Sequence, residues 1–388
     1  MGQSPPSQYY NHERIGVPFL QGIRTFGDKY PKYDTWVTKP QKMAKQGDVL
    51  FSVRAPVGQV NIAPSDVCIG RGLASISGDN NEFIYYLLKT CGQRVIDRQT
   101  GTVFGAVGKE SLEYTKFHIP PRDEQKDIAK ILSDLDSKIE LNEKMNRTLE
   151  DIAQAIFKHW FIDFEFPNEE GKPYKSSGGE MVDSELGKIP KGWEVKTLTD
   201  VGSLKNGINY TRNEEWNTEF FIVNVRNIVN QKFILRSDLD KIKLNSTKFE
   251  DYQIKQNDIV IARSGSPGES SFILENTDNI LYSGFSIRYR LNNPDNSFYM
   301  FFLLQNYKHK LLMVSIGTVI RSINQNSLRS ISFVMPSDSI IRKFTSISII
   351  SRLKYNLLES KTLSNIRDSL LPKLMTGKIR VPLEDEHE

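Results

Sequence analysis

Gly101–Pro120 and Gly317–Pro336 align without gaps, and seven of the 20 positions are identical: Gly101/Gly317, Thr102/Thr318, Val103/Val319, Ser111/Ser327, Leu112/Leu328, Phe117/Phe333 and Pro120/Pro336. Upstream, Gly47-Asp48-Val49-Leu50-Phe51-Ser52 matches Asn257-Asp258-Ile259-Val260-Ile261-Ala262 in type. In both copies a glycine, Gly58 or Gly268, lies ten residues after the aspartate, with Arg54 or Arg263 between. Two matches in the same order, about 210 residues apart, exclude a solenoid, whose units run about 20–50 residues. The chain therefore reads as two copies of one unit, and 388 residues are enough for two or three domains.

Each copy has the same grammar. Short strand-like runs come first, bounded by Gly, Pro and Asn: Phe19–Gly22, Val49–Val53 and Asp66–Ile69, then Phe220–Val223, Ile259–Ile261 and Phe285–Arg290. One short helix is expected in each copy, over Asn81–Ile96 and Ser297–Val314. A proline then closes the globular part and a long helix begins. In the first, Ile128, Leu132, Leu135, Ile139, Asn142, Asn146, Leu149, Ala153, Ile156 and Trp160 form a coiled-coil seam. No Gly or Pro interrupts Arg122 to Phe166. The second, Ile340 to Leu371, carries Phe344, Ile347, Ile350, Leu353, Leu357, Leu363, Ile366 and Leu370 on its apolar face, with Pro372 set to kink or end it.

Arg122–Phe161 holds seven basic and nine acidic residues, Asp338–Arg380 nine basic and three acidic. Opposite signs favour pairing of the two helices. The expected fold class is α+β: two similar globular domains separated by two long antiparallel helices in a coiled coil, with pseudo-two-fold symmetry from the internal repeat. The polar, Gly-, Pro- and Ser-rich stretch Pro167–Gly192 reads as a loop.

Catalytic signatures are missing. Phe104–Glu110 hints at a phosphate loop, but Val103 stands where Gly is needed and Glu110 where Ser or Thr is needed. Glu185 and Lys188 lie in the linker without a partner acid, and the five histidines are scattered. Cys68 and Cys91 have no CxxC pattern, which fits a reducing, cytoplasmic setting. No apolar run approaches the ~20 residues needed to cross a bilayer. The net charge of +4 permits nucleic-acid binding without arguing for it. Two like modules on a rod suit a long, regular ligand. About 38 helical residues span roughly 55–60 Å, or 16–18 base pairs of duplex DNA.

Further segments carry a family resemblance. They are Gly2–Ser7, Arg54–Gly58 with Cys68–Ala74, Ile119–Gln125, Trp160–Phe164, Ser184–Trp193 and Leu370–Ile379. In that order they resemble the specificity subunit of type I restriction–modification systems, over nearly the whole chain. The resemblance implies a non-catalytic subunit that needs no cofactor. Each of its two target recognition domains would read one half of a bipartite, asymmetric site in double-stranded DNA. The helices would set the spacer and dock two methylation subunits, which use S-adenosylmethionine to methylate adenine. ATP-dependent restriction subunits would join the full complex, with no membrane involved.

The implied domains are 1–120 (recognition), 121–166 (central helix), 167–192 (linker), 193–337 (recognition) and 338–388 (C-terminal helix and tail). One departure is expected. Gly192–Gly207 opens the second domain, whereas Met1-Gly2 stands near the position of Gly207, so the first domain reads as N-terminally truncated.

Arginine and lysine read guanine or hold phosphates, and amides read adenine. The DNA-contact candidates on expected loops are Arg24, Lys29, Arg54, Arg71 and Lys109 in the first copy. In the second they are Arg226, Asn227, Arg263, Ser264 and Arg321. Trp160 and Phe161 read as packing at the helix end. Two alternatives stand beside the main reading. One is a silent, truncated copy that only pairs with partners. The other is a methyltransferase with a fused recognition domain, against which Ser4-Pro5-Pro6-Ser7 lacks the catalytic amide or acid and the aromatic.

Overall fold

The computed structural model describes residues 1–97, 106–210, 218–244, 249–276, 278–313, 322–347 and 349–381. It divides into two compact units, Met1–Glu143 with Leu357–Glu388, and Lys144–Asn356.

In the first unit, β1 (Tyr10–Asn11), β2 (Val17–Leu20), β3 (Trp36–Val37), β4 (Met43–Ala44) and β7 (Val67–Ile69) form a sheet in the order β1-β3-β2-β7-β4. A second sheet has the order β6-β5-β8, from β5 (Val49–Ser52), β6 (Val60–Ile62) and β8 (Leu73–Ile76). Strand β5 is buried throughout because it serves two cores at once. Its period of two sends Val49 and Phe51 to one apolar cluster and Leu50 to another with Leu20, Ala44 and Val67. Each such side chain contributes about 1.5–3 kcal/mol on burial. The helices α1 (Asn81–Cys91), α2 (Gln93–Ile96) and α3 (Lys109–Tyr114) follow, then the start of α4 (Arg122–Phe157). Asn80 caps α1 by accepting from the Phe83 N–H at 3.0 Å.

The second unit opens on the end of α4 and a hairpin of β9 (Met181–Ser184) and β10 (Gly187–Pro190). Next come β11 (Glu194–Thr197), α5 (Leu198–Val201), β12 (Gly202–Asn206), β13 (Thr218–Val223), α6 (Val225–Asn230), β14 (Phe233–Ile234) and β15 (Asp240–Leu244). The strands β16 (Ile259–Ala262), β17 (Ser270–Ile273), β18 (Ile280–Tyr282), β19 (Ser286–Leu291) and β20 (Ser332–Met335) complete sheets ordered β12-β19-β16-β17-β14, β15-β13-β18 and β11-β20. Its helices are α7 (Ser297–Asn306), α8 (Lys308–Met313), α9 (Gln325–Arg329) and α10 (Asp338–Thr345). The start of α11 (Ile349–Met375) also belongs here, and its later part to the first unit.

The six expected strand runs are β2, β5, β7, β13, β16 and β19, while each expected short helix is broken in two, α1–α2 and α7–α8, with Val314 outside the described residues. The repeat is one of hydrogen bonds as well as residues. Gly2 N–H donates to Leu73 O at 2.8 Å and Gln3 N–H to Ile69 O at 2.9 Å; Gly207 N–H donates to Ser286 O at 3.1 Å and Ile208 N–H to Tyr282 O at 2.9 Å. Asp48 and Asp258 each close a turn by accepting from a backbone N–H three residues back, at 2.9 and 2.7 Å. The residues before them, Gly47 and Asn257, sit at φ 85° and 70°, where glycine and asparagine are tolerated.

The units differ along one edge. In the second, β12 covers the outer side of β19, and β11 covers β20. In the first, no strand among the described residues pairs with the outer side of β8 or with residues 116–119. Ile119 is 54% exposed, whereas the equivalent Met335 is 7% exposed under β11. An open edge leaves amides to water. Outward-facing β8 amides are expected to exchange with deuterium well before those of β19; equal protection in a residue-resolved exchange experiment would count against an open edge.

The helices depart from expectation at both ends. Helix α4 stops at Phe157 and widens into one π-turn, Lys158–Ile162, rather than running to Phe166. Its seam closes on fully buried Phe157, with Ile156 and Trp160 only half-buried. Leu135 and Ile139 are likewise half-buried, and Asp136 takes the buried place beside them. The second helix is two helices, α10 and α11, and the break leaves Ile347 exposed. Pro372 neither ends nor replaces α11, which continues to Met375. Sited in the last turn, the proline forfeits only one bond of the ladder. Ile366, assigned to the apolar face, is exposed, and Arg367 turns inward instead.

The linker is ordered where a loop was expected. Phe166 stacks on Tyr174 and Trp193, with ring centroids at 4.5 and 4.8 Å. The Asn168 side chain accepts from the Glu170 and Lys172 N–H groups, and β9–β10 follows.

The helices pair antiparallel within each unit. In the first, Asn142 donates to Glu359 at 2.7 Å, Arg367 to Asp136 at 2.7 Å, and Arg380 to both Glu124 oxygens at 2.7 and 2.6 Å. In the second, Asn356 donates to Asn146 at 2.9 Å. These polar seam pairs specify register at some cost in stability.

Arg380, joined by the Val381 N–H, holds the Glu124 carboxyl below its ordinary value. A depressed folded-state value favours the ionised form. The clamp is therefore fully stabilising above about pH 4.3, and its contribution disappears as pH falls through the lower folded value. The Val381 amide is expected to lose exchange protection in that acid range, and Glu124→Gln to remove the dependence. A Val381 protection that ignores pH in the wild type would refute the clamp.

Candidate nucleic-acid interface

The repeat places equivalent loops after β5 and β16. Ser52 N–H donates to Gln59 O and Gly58 N–H to Ser52 O; Ala262 N–H donates to Glu269 O and Gly268 N–H to Ala262 O. Gly58 and Gly268 both have positive φ, 91° and 87°. The same bonds set the register of the arginines. Val53 N–H donates to Gly72 O, and Arg263 N–H to Phe285 O. Arg263 is thus equivalent to Val53, and Arg54 to Ser264. The two arginines sit one position apart on matching loops rather than at the same position.

The candidates sort by partner. Among the described residues, the side chains of Arg54, Arg71 and Arg263 have no hydrogen bond or ion pair; Arg54 and Arg71 are exposed and Arg263 half-buried. Ser264 is half-buried on the loop beside Arg263. Arg24 pairs with Asp34 at 2.7 Å and holds that carboxyl below its usual value, while Lys109 pairs with Glu113 at 3.2 Å. Arg226 pairs with Asp240. Exposed pairs such as these are worth about 0–1 kcal/mol, so exchange for a phosphate costs little. Lys109 and Arg226 lie on α3 and α6 rather than on loops.

Two candidates have a different place from the exposed loop expected of them. Lys29 is buried, paired with Glu82 at 3.0 Å and set over the Tyr30, Tyr85 and Tyr86 rings at 5.7–5.9 Å. Its equivalent Lys232, placed by the matching bonds Ile62 N–H to Lys29 O and Phe272 N–H to Lys232 O, pairs with Glu150 of α4. Asn227 is buried on α6, where it accepts from Asn224 N–H and donates to Asp238 O, both at 2.9 Å. Both side chains are committed to the frame. Arg321 lies outside the described residues.

A cleft of about 550 Å³ opens in the first unit, and its lining includes Gln3, Ser4, Tyr10, Gln21, Gln41 and Arg71. Of these only Arg71 was a candidate. The signal for Gln3 was adjacency to Gly2, the repeat partner of Gly207. For Gln41 no sequence signal pointed there. Trp160 and Phe161 pack against Phe344 at 6.3 and 5.3 Å, as expected of a helix end. Among the described residues no cluster of His, Cys, Asp or Glu could hold a metal ion, and no helix is long and apolar enough to cross a membrane.

Two like scaffolds with matching loops define an internally duplicated protein. The chain belongs to the family of type I restriction modification DNA specificity domains, whose model matches residues 23–151 and 190–366. It is 31% identical over 396 residues to the type I restriction enzyme MjaIX specificity subunit of Methanocaldococcus jannaschii, covering 97% of this chain and 86% of that protein. The HindI specificity subunit of Haemophilus influenzae is 25% identical over 413 residues, covering 87% of this chain and 88% of that one. In fold, the chain is similar to the crystal structure of the type I restriction–modification S subunit from M. genitalium. The TM-score is 0.56 at 18% identity, over 96% of this chain and 92% of that one.

Proposed function

We propose that this specificity subunit reads a bipartite, asymmetric site in double-stranded DNA. Residues 1–120 take one half and 193–337 the other, while the helices at 121–166 and 338–388 set the unspecified spacer. The observation that carries this reading is the pair of matching loops, each with an uncommitted arginine, after β5 and β16. The chain itself contributes addressing without catalysis. Two methylation subunits dock on the helices and methylate adenine, and restriction subunits join them in the cytoplasm. Exposed apolar side chains on the helices, Leu141 and Leu358 in the first unit and Tyr355 in the second, supply surface for such docking.

The test is the adenine-methylation map of DNA from a methylation-free host expressing this chain with its methylation subunit. One two-part motif with a fixed gap is the expected result, and absence of any motif from a soluble complex would sink the proposal. Within that assay, Arg263→Ala is expected to lower site methylation by about 1–3 kcal/mol if the arginine reads a base; unchanged methylation removes Arg263 from the interface. The open edge of β8 favours a second reading, a copy that only pairs with partners. Absence of any motif from a soluble complex would support it, whereas a motif with only the second unit's half defined would mean that the first unit alone does not read DNA.

A further inference from the structure

The two units share main-chain bonds at the cleft and differ in every side chain those bonds present. Gly70 N–H donates to Leu20 O at 2.8 Å, and Ser283 N–H to Val223 O at 3.0 Å. Together with the Gln3 and Ile208 bonds, this makes Gln3 equivalent to Ile208, Ser4 to Asn209, Gln21 to Asn224 and Arg71 to Gly284. The first unit offers two amides, a hydroxyl and a guanidinium. Gln3, Gln21, Gln41 and Arg71 are all exposed, and among the described residues none of these side chains has a partner. In the second unit Asn224 accepts from the Tyr210 hydroxyl at 3.4 Å, and its backbone caps α6 with Asn227. There the chain presents Phe285 instead, 64% exposed. Four side chains of base-reading type thus converge on one cleft, where they can exchange water for base edges.

Resting on the reading of this chain as a DNA-addressing subunit, we propose that these repeat-equivalent positions carry its sequence specificity. The cleft of the first unit then reads a purine-containing half-site through the major groove. Arg71 is suited to the O6/N7 edge of guanine, and Gln21 or Gln41 to the N6/N7 edge of adenine. Phe285, with no donor to offer, suits apolar contact with a thymine methyl in the other half. The halves differ because the side chains differ, on a frame that does not.

The experiment maps adenine methylation by the complex with wild-type chain, Arg71→Ala, Arg71→Gln, the Gln21→Ala/Gln41→Ala pair, and Arg94→Ala as a surface control outside the cleft lining. Wild type and control are expected to write one two-part motif. Arg71→Ala is expected to lose about 10- to 100-fold discrimination at a guanine in one half only, and Arg71→Gln to shift that position toward adenine. The paired glutamine variant is expected to relax an adenine in the same half and leave the other half intact. If the variants assemble and write the wild-type motif with undiminished discrimination, these positions are not the readers. If they lose methylation evenly across all sequences, they hold phosphates, and the proposal fails equally. A wild type that writes no motif would overturn the addressing function itself, a result separable from both.

Discussion

Asp136→Ala is expected to destabilise the first unit by about 3–5 kcal/mol. Asp136 lies on α4 with its side chain 6% exposed, where it accepts from the Tyr86 hydroxyl at 2.5 Å and from Arg367 Nη1 at 2.7 Å. Tyr86 is fully buried, and burial together with Asp136 pushes its phenol far above the ordinary range, so it remains a donor at any working pH. Removing the carboxylate leaves that donor without an acceptor and a guanidinium, 17% exposed, whose other ion-pair partner among the described residues is the exposed Asp368. Both costs are those of burying polar groups unpaired. Replacing the three members together, Tyr86→Phe with Asp136→Leu and Arg367→Met, is expected to recover most of the loss, because apolar replacement of a buried ion pair is often neutral. Urea unfolding, followed by exchange of the α1 amides, measures both. A loss below about 1 kcal/mol, within the range of an exposed pair, would make the network a bystander.

The second unit anchors the same helix by other means. Phe157, at the end of α4, is fully buried, with ring centroids of Phe161, Tyr299, Phe302 and Phe344 at 5.1, 5.5, 6.0 and 6.1 Å. Phe157→Ala is expected to cost about 3–5 kcal/mol, from lost transfer energy plus the cavity left among rings that cannot collapse into it. Trp160→Ala, at a half-buried position two rings away, is expected to cost clearly less. Thermal unfolding of both variants, with α7 amide exchange as the local readout, decides the order. Equal costs would mean that the cluster is loosely packed. The first unit thus adds a polar triad to the buried Ile128, Ala129 and Leu132 of α4, and the second holds the other end of the helix with aromatic rings.

That contrast marks where sequence was sufficient. Strands such as β5 and β16 were legible because their patterns are local and both copies state them. The helices were legible as helices, but the inward side of α4 turns on Asp136, whose partners Tyr86 and Arg367 are 50 and 231 positions away. A seam drawn from apolar spacing passes it by. Lys29 and Lys232 were opaque for the same reason, the latter meeting Glu150 across 82 positions. Asn227 was within reach, since an amide three residues after Asn224 at a helix start is a local capping pattern. Order in the linker was signalled by Phe166, Tyr174 and Trp193, and was hidden by the polar residues between them.

The bonds that frame the cleft, from Gly2 to Leu73 and from Gly70 to Leu20, and their counterparts in the second unit, run from main chain to main chain. Leu20 and Leu73 also pack in the core, but among the described residues the side chains of Gln3, Gln21 and Arg71 make no hydrogen bond to the frame. A lineage carrying this gene can therefore drift at Gln3, Gln21 or Arg71 without paying in folding. On the reading proposed above, the two halves can diverge independently by exchanging a few surface residues.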